Sequence, residues 1–204
     1  MQYISLHDQS IRTNMLPLLD GLDPRASTEN YRRQVKAIQD ELNAKRTVER
    51  ILDDLRIEVL MKTDLYLRAA RPNLNGQESP DWHRESFYGC PRNVVNVWMP
   101  LLNCTEKNSM RYIPGSEEIA DERMVIEQTV DASVPRHSNG HKIGLLYAPK
   151  KIVGGIDFSL AKPLLVPEGM VVMFPGELIH GAAQNKSDSI RCSIDFRILP
   201  KRFN

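Results

Sequence analysis

Five side chains in this sequence have the types and spacing to act on one chemistry: His83, Glu85, His180, Arg191 and Ser193. Asn185-Lys186-Ser187-Asp188 is turn chemistry between two apolar runs, so residues 178–184 and 189–198 are predicted to form an antiparallel hairpin. That register sets His180 opposite Ser193 and residue 182 opposite Arg191. Side chains alternate faces along a strand, so His180, Arg191 and Ser193 share one face, with Ile190, Ile194 and Phe196 on the other. Far upstream, in Trp82-His83-Arg84-Glu85, an extended backbone points His83 and Glu85 the same way. Two imidazoles and one carboxylate are the ligand set of the facial triad that holds non-haem Fe(II) and leaves coordination positions open. Arg191 adds a rigid guanidinium fork suited to a carboxylate on a co-substrate.

Residues from about 82 to 198 resemble the phytanoyl-CoA dioxygenase branch of the Fe(II)/2-oxoglutarate oxygenases. Four segments carry the likeness: Trp82-His83-Arg84-Glu85, Asn96-Val97-Trp98-Met99-Pro100-Leu101, Met110-Arg111-Tyr112-Ile113-Pro114-Gly115-Ser116, and the stretch from Val166 to Ser193. The family pattern is His-x-Asp, a distal His, then an Arg followed two residues on by a Ser. The separation of His180 from Arg191 and the Arg191-x-Ser193 pair match it. Glu85 departs from it, standing where Asp is usual. Its extra methylene lets it reach a metal only from a backbone set slightly further back.

The resemblance implies Fe(II) on His83, Glu85 and His180. It places the distal carboxylate of 2-oxoglutarate on Arg191, helped by Ser193, with Asn96 as a donor beside the metal. It also implies consumption of O2, release of succinate and CO2, and hydroxylation of an unactivated carbon on a small metabolite. Desaturation, cyclisation and epimerisation share the same first step. Two alternatives stay open. One is a cupin-like jelly roll using the same ligands for another divalent metal in redox-neutral chemistry. The other is a non-catalytic binding jelly roll whose metal site has decayed. No clustered basic patch offers a handle for an acyl-CoA.

The elements that must position these residues follow from the rest of the chain. At 204 residues, 41% hydrophobic and 26% charged, it fits one domain over 1–204 with a sizeable core. A net charge of +1 gives no electrostatic footprint for nucleic acid. No apolar run approaches the roughly 20 residues of a membrane span, and the first residues lack a signal-peptide pattern. Cys90, Cys104 and Cys192 show no paired spacing and read as reduced thiols of a cytoplasmic protein.

Residues 1–26 read as an irregular lead-in with one short strand. From about 27 to 55, Tyr31, Val35, Ile38 and Leu42, then Val48, Ile51, Leu52 and Leu55, recur at helical spacing. They form a helical brace of one helix or two. A jelly-roll core is expected over about 57–200, because short strands between Gly, Pro and Asn turns lack βαβ alternation. The resemblance independently implies the same double-stranded β-helix, mainly β with flanking helices. Residues 57–70 read as strand with Arg68 turned to the interior as a substrate contact or an edge ion pair. Val94–Leu101 puts Asn96 and Trp98 on one face, with Trp98 either core or substrate wall. Tyr112, on a short strand from Met110 to Ile113, is a further substrate candidate. Residues 117–160, including His137 and His141, read as a lid-like insert.

Overall fold

The helical stripes and the strand faces are apolar on one side only, so each must cover the other, and they meet on one large sheet. The computed structural model describes residues 1–72, 81–128 and 150–201. In chain order its elements are β1 (Gln2–Ser5), α1 (Ser10–Thr13), α2 (Leu16–Leu19), α3 (Thr28–Ala44), α4 (Thr47–Asp54), β2 (Val59–Lys62) and β3 (Tyr66–Ala70). There follow β4 (Val95–Leu102), β5 (Arg111–Tyr112), β6 (Val125–Gln128), β7 (Lys150–Gly154), β8 (Lys162–Pro163), β9 (Met170–Pro175), β10 (His180–Gly181) and β11 (Arg191–Pro200).

The large sheet is antiparallel, in the order β1-β9-β4-β11-β2, with β3 also on β11. β3 takes the Arg191–Asp195 half of that strand and β2 its far end. A smaller sheet runs β10-β5-β8, and β6 pairs with β7. Trp98, Val172 and Phe174 of the large sheet pack with Leu164, Leu178 and Tyr112 from the side of the small one. This is the jelly roll expected from the strand pattern. Among the described residues no helix is long and apolar enough to cross a membrane.

Strand β11 shows why the layers form. Cys192, Ile194, Phe196 and Ile198 are fully buried and join Val95, Val97, Met99 and Leu101 of β4 in one cluster with Tyr31, Ile38, Leu42, Val48, Ile51 and Leu52 of the helices. The intervening Arg191, Ser193, Asp195 and Arg197 turn to the opposite face and are buried too. The helical brace is two helices. Arg46, in the left-handed region at φ 54°, breaks it, and the Thr47 hydroxyl donates to the Leu42 carbonyl at 2.7 Å. Asn43 exchanges two hydrogen bonds with the Leu65 backbone, at 3.0 and 2.8 Å, and so ties α3 to the start of β3. The lead-in is more ordered than its composition suggested. β1 extends the large sheet and α1 and α2 contribute Ile11 and Leu19 to the core.

The expected hairpin is corrected. His180 pairs with Tyr112 on β5, in the small sheet. Arg191 pairs with Ala70, and Ser193 with Arg68 and Pro100, in the large one. The turn residues are real, but they bend a crossover between sheets. Buried Asn185 donates to the carbonyls of Ala70 (2.9 Å) and Ser189 (2.7 Å) and accepts from Ser187 N–H (3.0 Å). Those bonds dock the turn on β3, so the chain leaves one sheet and enters the other. His180 and Arg191 therefore face each other across the fold instead of sharing a strand pair. The extended reading of residues 83–85 also needs correction: Arg84 is extended, but Glu85 opens a 3-10 turn, Glu85–Tyr88. Within the 117–160 stretch, β6 and β7 form an antiparallel pair, while residues 129–149, with His137 and His141, lie outside the described residues.

Candidate metal centre

His83 and His180 are brought together by an isolated antiparallel bridge between their own backbones. His83 Nδ1 lies 2.6 Å from the Asp81 carbonyl, and His180 Nδ1 lies 2.8 Å from the Leu178 carbonyl. A carbonyl only accepts, so each Nδ1 carries a proton and Nε2 is the ring atom left for a metal. Such a backbone partner is what fixes the tautomer of a metal-ligating histidine. Burial first, and then neighbouring His180, hold His83 down at about 3, well below its ordinary 6.5, so the ring is neutral at pH 7.

Glu85 reaches the same point from the first residue of its 3-10 turn. Its amide donates to the Gly176 carbonyl at 2.9 Å. Gly176 leaves the room for this: a Cβ there would meet Val94 Cγ1 at 2.5 Å and stand 3.3 Å from Glu85 Cβ. The close approach at Gly176 and the turned backbone together set where the Glu85 side chain starts towards the site. Ligand atoms of His83, Glu85 and His180 all lie within 4.8 Å of one another, and the three residues are buried. Two imidazoles, each with Nδ1 on a backbone carbonyl, and one carboxylate fit the donor set of a non-haem Fe(II) centre.

Around them lies a pocket walled by Trp98, Met110 and Phe174 together with Asn96, Arg68 and Arg191. Its floor is the large sheet, read in rows. Phe174, Asn96 and Arg197 sit side by side on β9, β4 and β11, and the next row holds Val172, Trp98 and Asp195. Both side-chain atoms of Asn96 are buried, and neither has a hydrogen-bond partner among the described residues. An unsatisfied buried amide costs about 1–3 kcal/mol, so this one takes a partner from outside the described side chains, water or ligand. Arg191 lies further along the pocket. Its Nε donates to the Asn108 carbonyl (3.1 Å) and its Nη1 to Ser193 Oγ (2.8 Å). Among the described residues no carboxylate pairs with it, and burial lowers its affinity for its proton.

The structure thus collects most of the residues singled out from sequence. His83, Glu85 and His180 converge, and Arg191, Asn96, Trp98 and Arg68 line the pocket. Arg68 is both pocket wall and ion pair, gripping Asp195 at 2.7 and 3.2 Å. Ser193 is fully buried behind Arg191 and orients it. Tyr112 is not among the lining residues and packs with Met110 and Leu164. Sequence reading missed Asp195, Arg197 and Gly176. The first two were legible by extending the alternation of β11 two steps beyond Ser193, whereas Gly176 needed the tertiary contact.

Comparison with known proteins agrees with this geometry. The family model for phytanoyl-CoA dioxygenase (PhyH) matches residues 21–193. Phytanoyl-CoA dioxygenase 1 of Oryza sativa subsp. japonica is 24% identical over 130 residues, covering 63% of this chain and 41% of that protein. The chain therefore spans about two fifths of the length of that curated relative. Among solved structures, AviO1 from Streptomyces viridochromogenes Tue57 superposes with a TM-score of 0.55 at 17% identity, over 98% of this chain and 89% of its own. HygX from Streptomyces hygroscopicus, solved with iron bound, gives 0.51 at 16% identity, over 99% and 83%. These two share the fold. With most of its length matched by the family model, from ahead of α3 to the first residues of β11, the chain belongs to the phytanoyl-CoA dioxygenase family.

Proposed function

We propose that this protein is an Fe(II)- and 2-oxoglutarate-dependent oxygenase that hydroxylates an unactivated carbon of a small molecule. The observation that carries the reading is the pairing of a His-Glu-His donor set with a buried, pocket-lining Arg191 that has no carboxylate partner among the described residues. A buried guanidinium held only by a carbonyl and a hydroxyl favours an anion strongly. Redox-neutral metal chemistry leaves that cation without a purpose. The iron bound in the structure of HygX agrees with the same assignment.

In this reading His83 and His180 hold the iron through Nε2 and Glu85 through a carboxylate oxygen. Fe(II) in that site supplies activation of O2 coupled to oxidative decarboxylation of 2-oxoglutarate to succinate and CO2. Arg191 fixes the distal carboxylate of the keto acid, and Ser193 keeps the guanidinium aimed. Asn96 donates from its amide to the co-substrate beside the metal. Trp98, Met110 and Phe174 give the pocket apolar walls that exclude water. Arg68, with Asp195, lines the side left for the substrate.

An anaerobic titration of apo-protein with Fe(II) and then 2-oxoglutarate tests this, read by the weak visible charge-transfer band. The band is expected in the wild type, absent in His180→Ala, and shifted to much higher 2-oxoglutarate in Arg191→Ala. Metal binding with no response to 2-oxoglutarate would sink the proposal in favour of the redox-neutral enzyme. No metal binding would leave a binding protein.

A further inference from the structure

Glu85 is gripped by a guanidinium. Arg197 donates from Nε to Oε2 at 2.9 Å and from Nη2 to Oε1 at 2.8 Å, so both carboxylate oxygens are engaged. The third arm, Nη1, donates to Asp195 Oδ2 at 2.6 Å. Asp195 is in turn forked by Arg68. The Tyr66 ring lies against both cations, 5.3 Å from Arg68 and 5.2 Å from Arg197. Glu85 is 1% exposed and Arg197 8%. Two guanidiniums and two carboxylates form one chain of alternating charge, and it ends on the candidate iron ligand.

We propose that Arg197 is a built-in rival of the metal for Glu85: it neutralises the buried carboxylate of the apo protein and lowers the affinity of the centre for a divalent ion, with Asp195 setting how hard it pulls. The inference rests on the metal reading of His83, Glu85 and His180. A carboxylate offers about four lone-pair positions, and the fork uses one on each oxygen. A metal can still take another on Oε1, the oxygen 3.3 Å from His180 Nε2. Ion and guanidinium then share one carboxylate in a site shielded from water, where like charges repel strongly.

Without a counter-ion, buried Glu85 would itself be costly, so Arg197 also favours the apo fold. Both effects reduce what metal loading gains. Asp195 draws part of the guanidinium away from Glu85, and removing its charge leaves Glu85 as the one carboxylate paired with Arg197 among the described residues.

The test is calorimetric titration of chelator-treated full-length protein with Co(II), with the apo melting temperature measured in parallel. Arg197→Gln, which removes a positive charge beside the ion, is expected to bind Co(II) about tenfold tighter or more and to melt lower as apo protein. Asp195→Asn is expected to bind it about tenfold more weakly. A site merely loosened by mutation would weaken in both variants, so the opposite signs identify the rivalry. Arg197→Lys keeps the charge but frees one oxygen, and should fall between wild type and Arg197→Gln. It serves if the Gln variant does not fold. Unchanged or weaker binding in the folded Arg197 variants, with a wild type that binds, overturns this inference alone. Absence of Co(II) binding in the wild type and in every variant overturns it together with the metal reading.

Discussion

His83 and His180 hold each other by their backbones: each amide donates to the other's carbonyl, at 2.9 and 3.1 Å. Their rings stand 4.4 Å apart between centroids, tilted by 56°. The two candidate ligands are thus neighbours through main-chain bonds that no side-chain substitution removes. His180→Ala is therefore expected to keep its far-ultraviolet circular dichroism and lose Co(II) affinity by about 100-fold or more. Unaltered Co(II) affinity in a folded His180→Ala protein would remove His180 from the centre.

Arg191 and Ser193 predict a graded pair of effects. Truncating one member of a buried charge pair costs about 2–5 kcal/mol, so Arg191→Ala should raise the 2-oxoglutarate needed for half-saturation about 30-fold or more. Ser193 only steadies the guanidinium, and loss of one hydrogen bond to a charged group is worth about 1.5–3 kcal/mol at most. Ser193→Ala is expected to show the smaller rise. Equal effects would mean that Ser193 touches the co-substrate itself.

On the opposite face of β11, Phe196 is fully buried between the sheet and the helices. Phe196→Ala should cost about 3–5 kcal/mol of stability in urea unfolding, from lost burial and the cavity left behind. If its midpoint matched the wild type, the helical brace would not be packed on this face.

Gly176→Ala sets backbone against backbone. The added Cβ would meet the Val94 carbonyl oxygen at 3.0 Å, as well as the Val94 and Glu85 side chains. Overpacking of this kind typically costs about 1–3 kcal/mol. Here it also displaces the turn carrying Glu85, so both melting temperature and Co(II) affinity should fall. A loss of stability with Co(II) binding intact would separate Gly176 from the centre.

Acid should weaken the apo protein early. His83 has a folded value of about 3 against 6.5, so the unfolded chain takes up that proton first. Its contribution to stability is complete above about 6.5 and is lost as pH falls from there towards 3. Burial would raise Glu85, but Arg197 and His180 outweigh it and hold the carboxyl well below its ordinary 4.5. That stability is present above the carboxylate range and is lost as pH falls through and below it. Urea midpoints of apo-protein should therefore decline from pH 7 to pH 5. A flat profile would show that His83 is not buried as a neutral ring.

The donor types and the alternation of faces were legible in the chain, because both are local. A strand has period two, so Val95, Val97 and Met99 had to part from Asn96 and Trp98, and Ile194 and Phe196 from Arg191 and Ser193. Tyr31, Ile38 and Leu42 likewise marked the helix face that covers the sheet. Which strand lies beside which is not local. Turn chemistry at Asn185–Asp188 states that the chain bends, but not where it docks, and the buried bonds of Asn185 to Ala70 send residues 180 and 191 into different sheets.

The same limit hid the partner of Glu85. Arg197 and Glu85 are far apart in sequence, and only closure of the jelly roll presses them into a bidentate pair. Sequence by itself determined which atoms were available to bind a metal and an acid. Tertiary structure decided which of those atoms meet, and which cation Glu85 already faces, because long-range contacts depend on packing that no periodicity encodes.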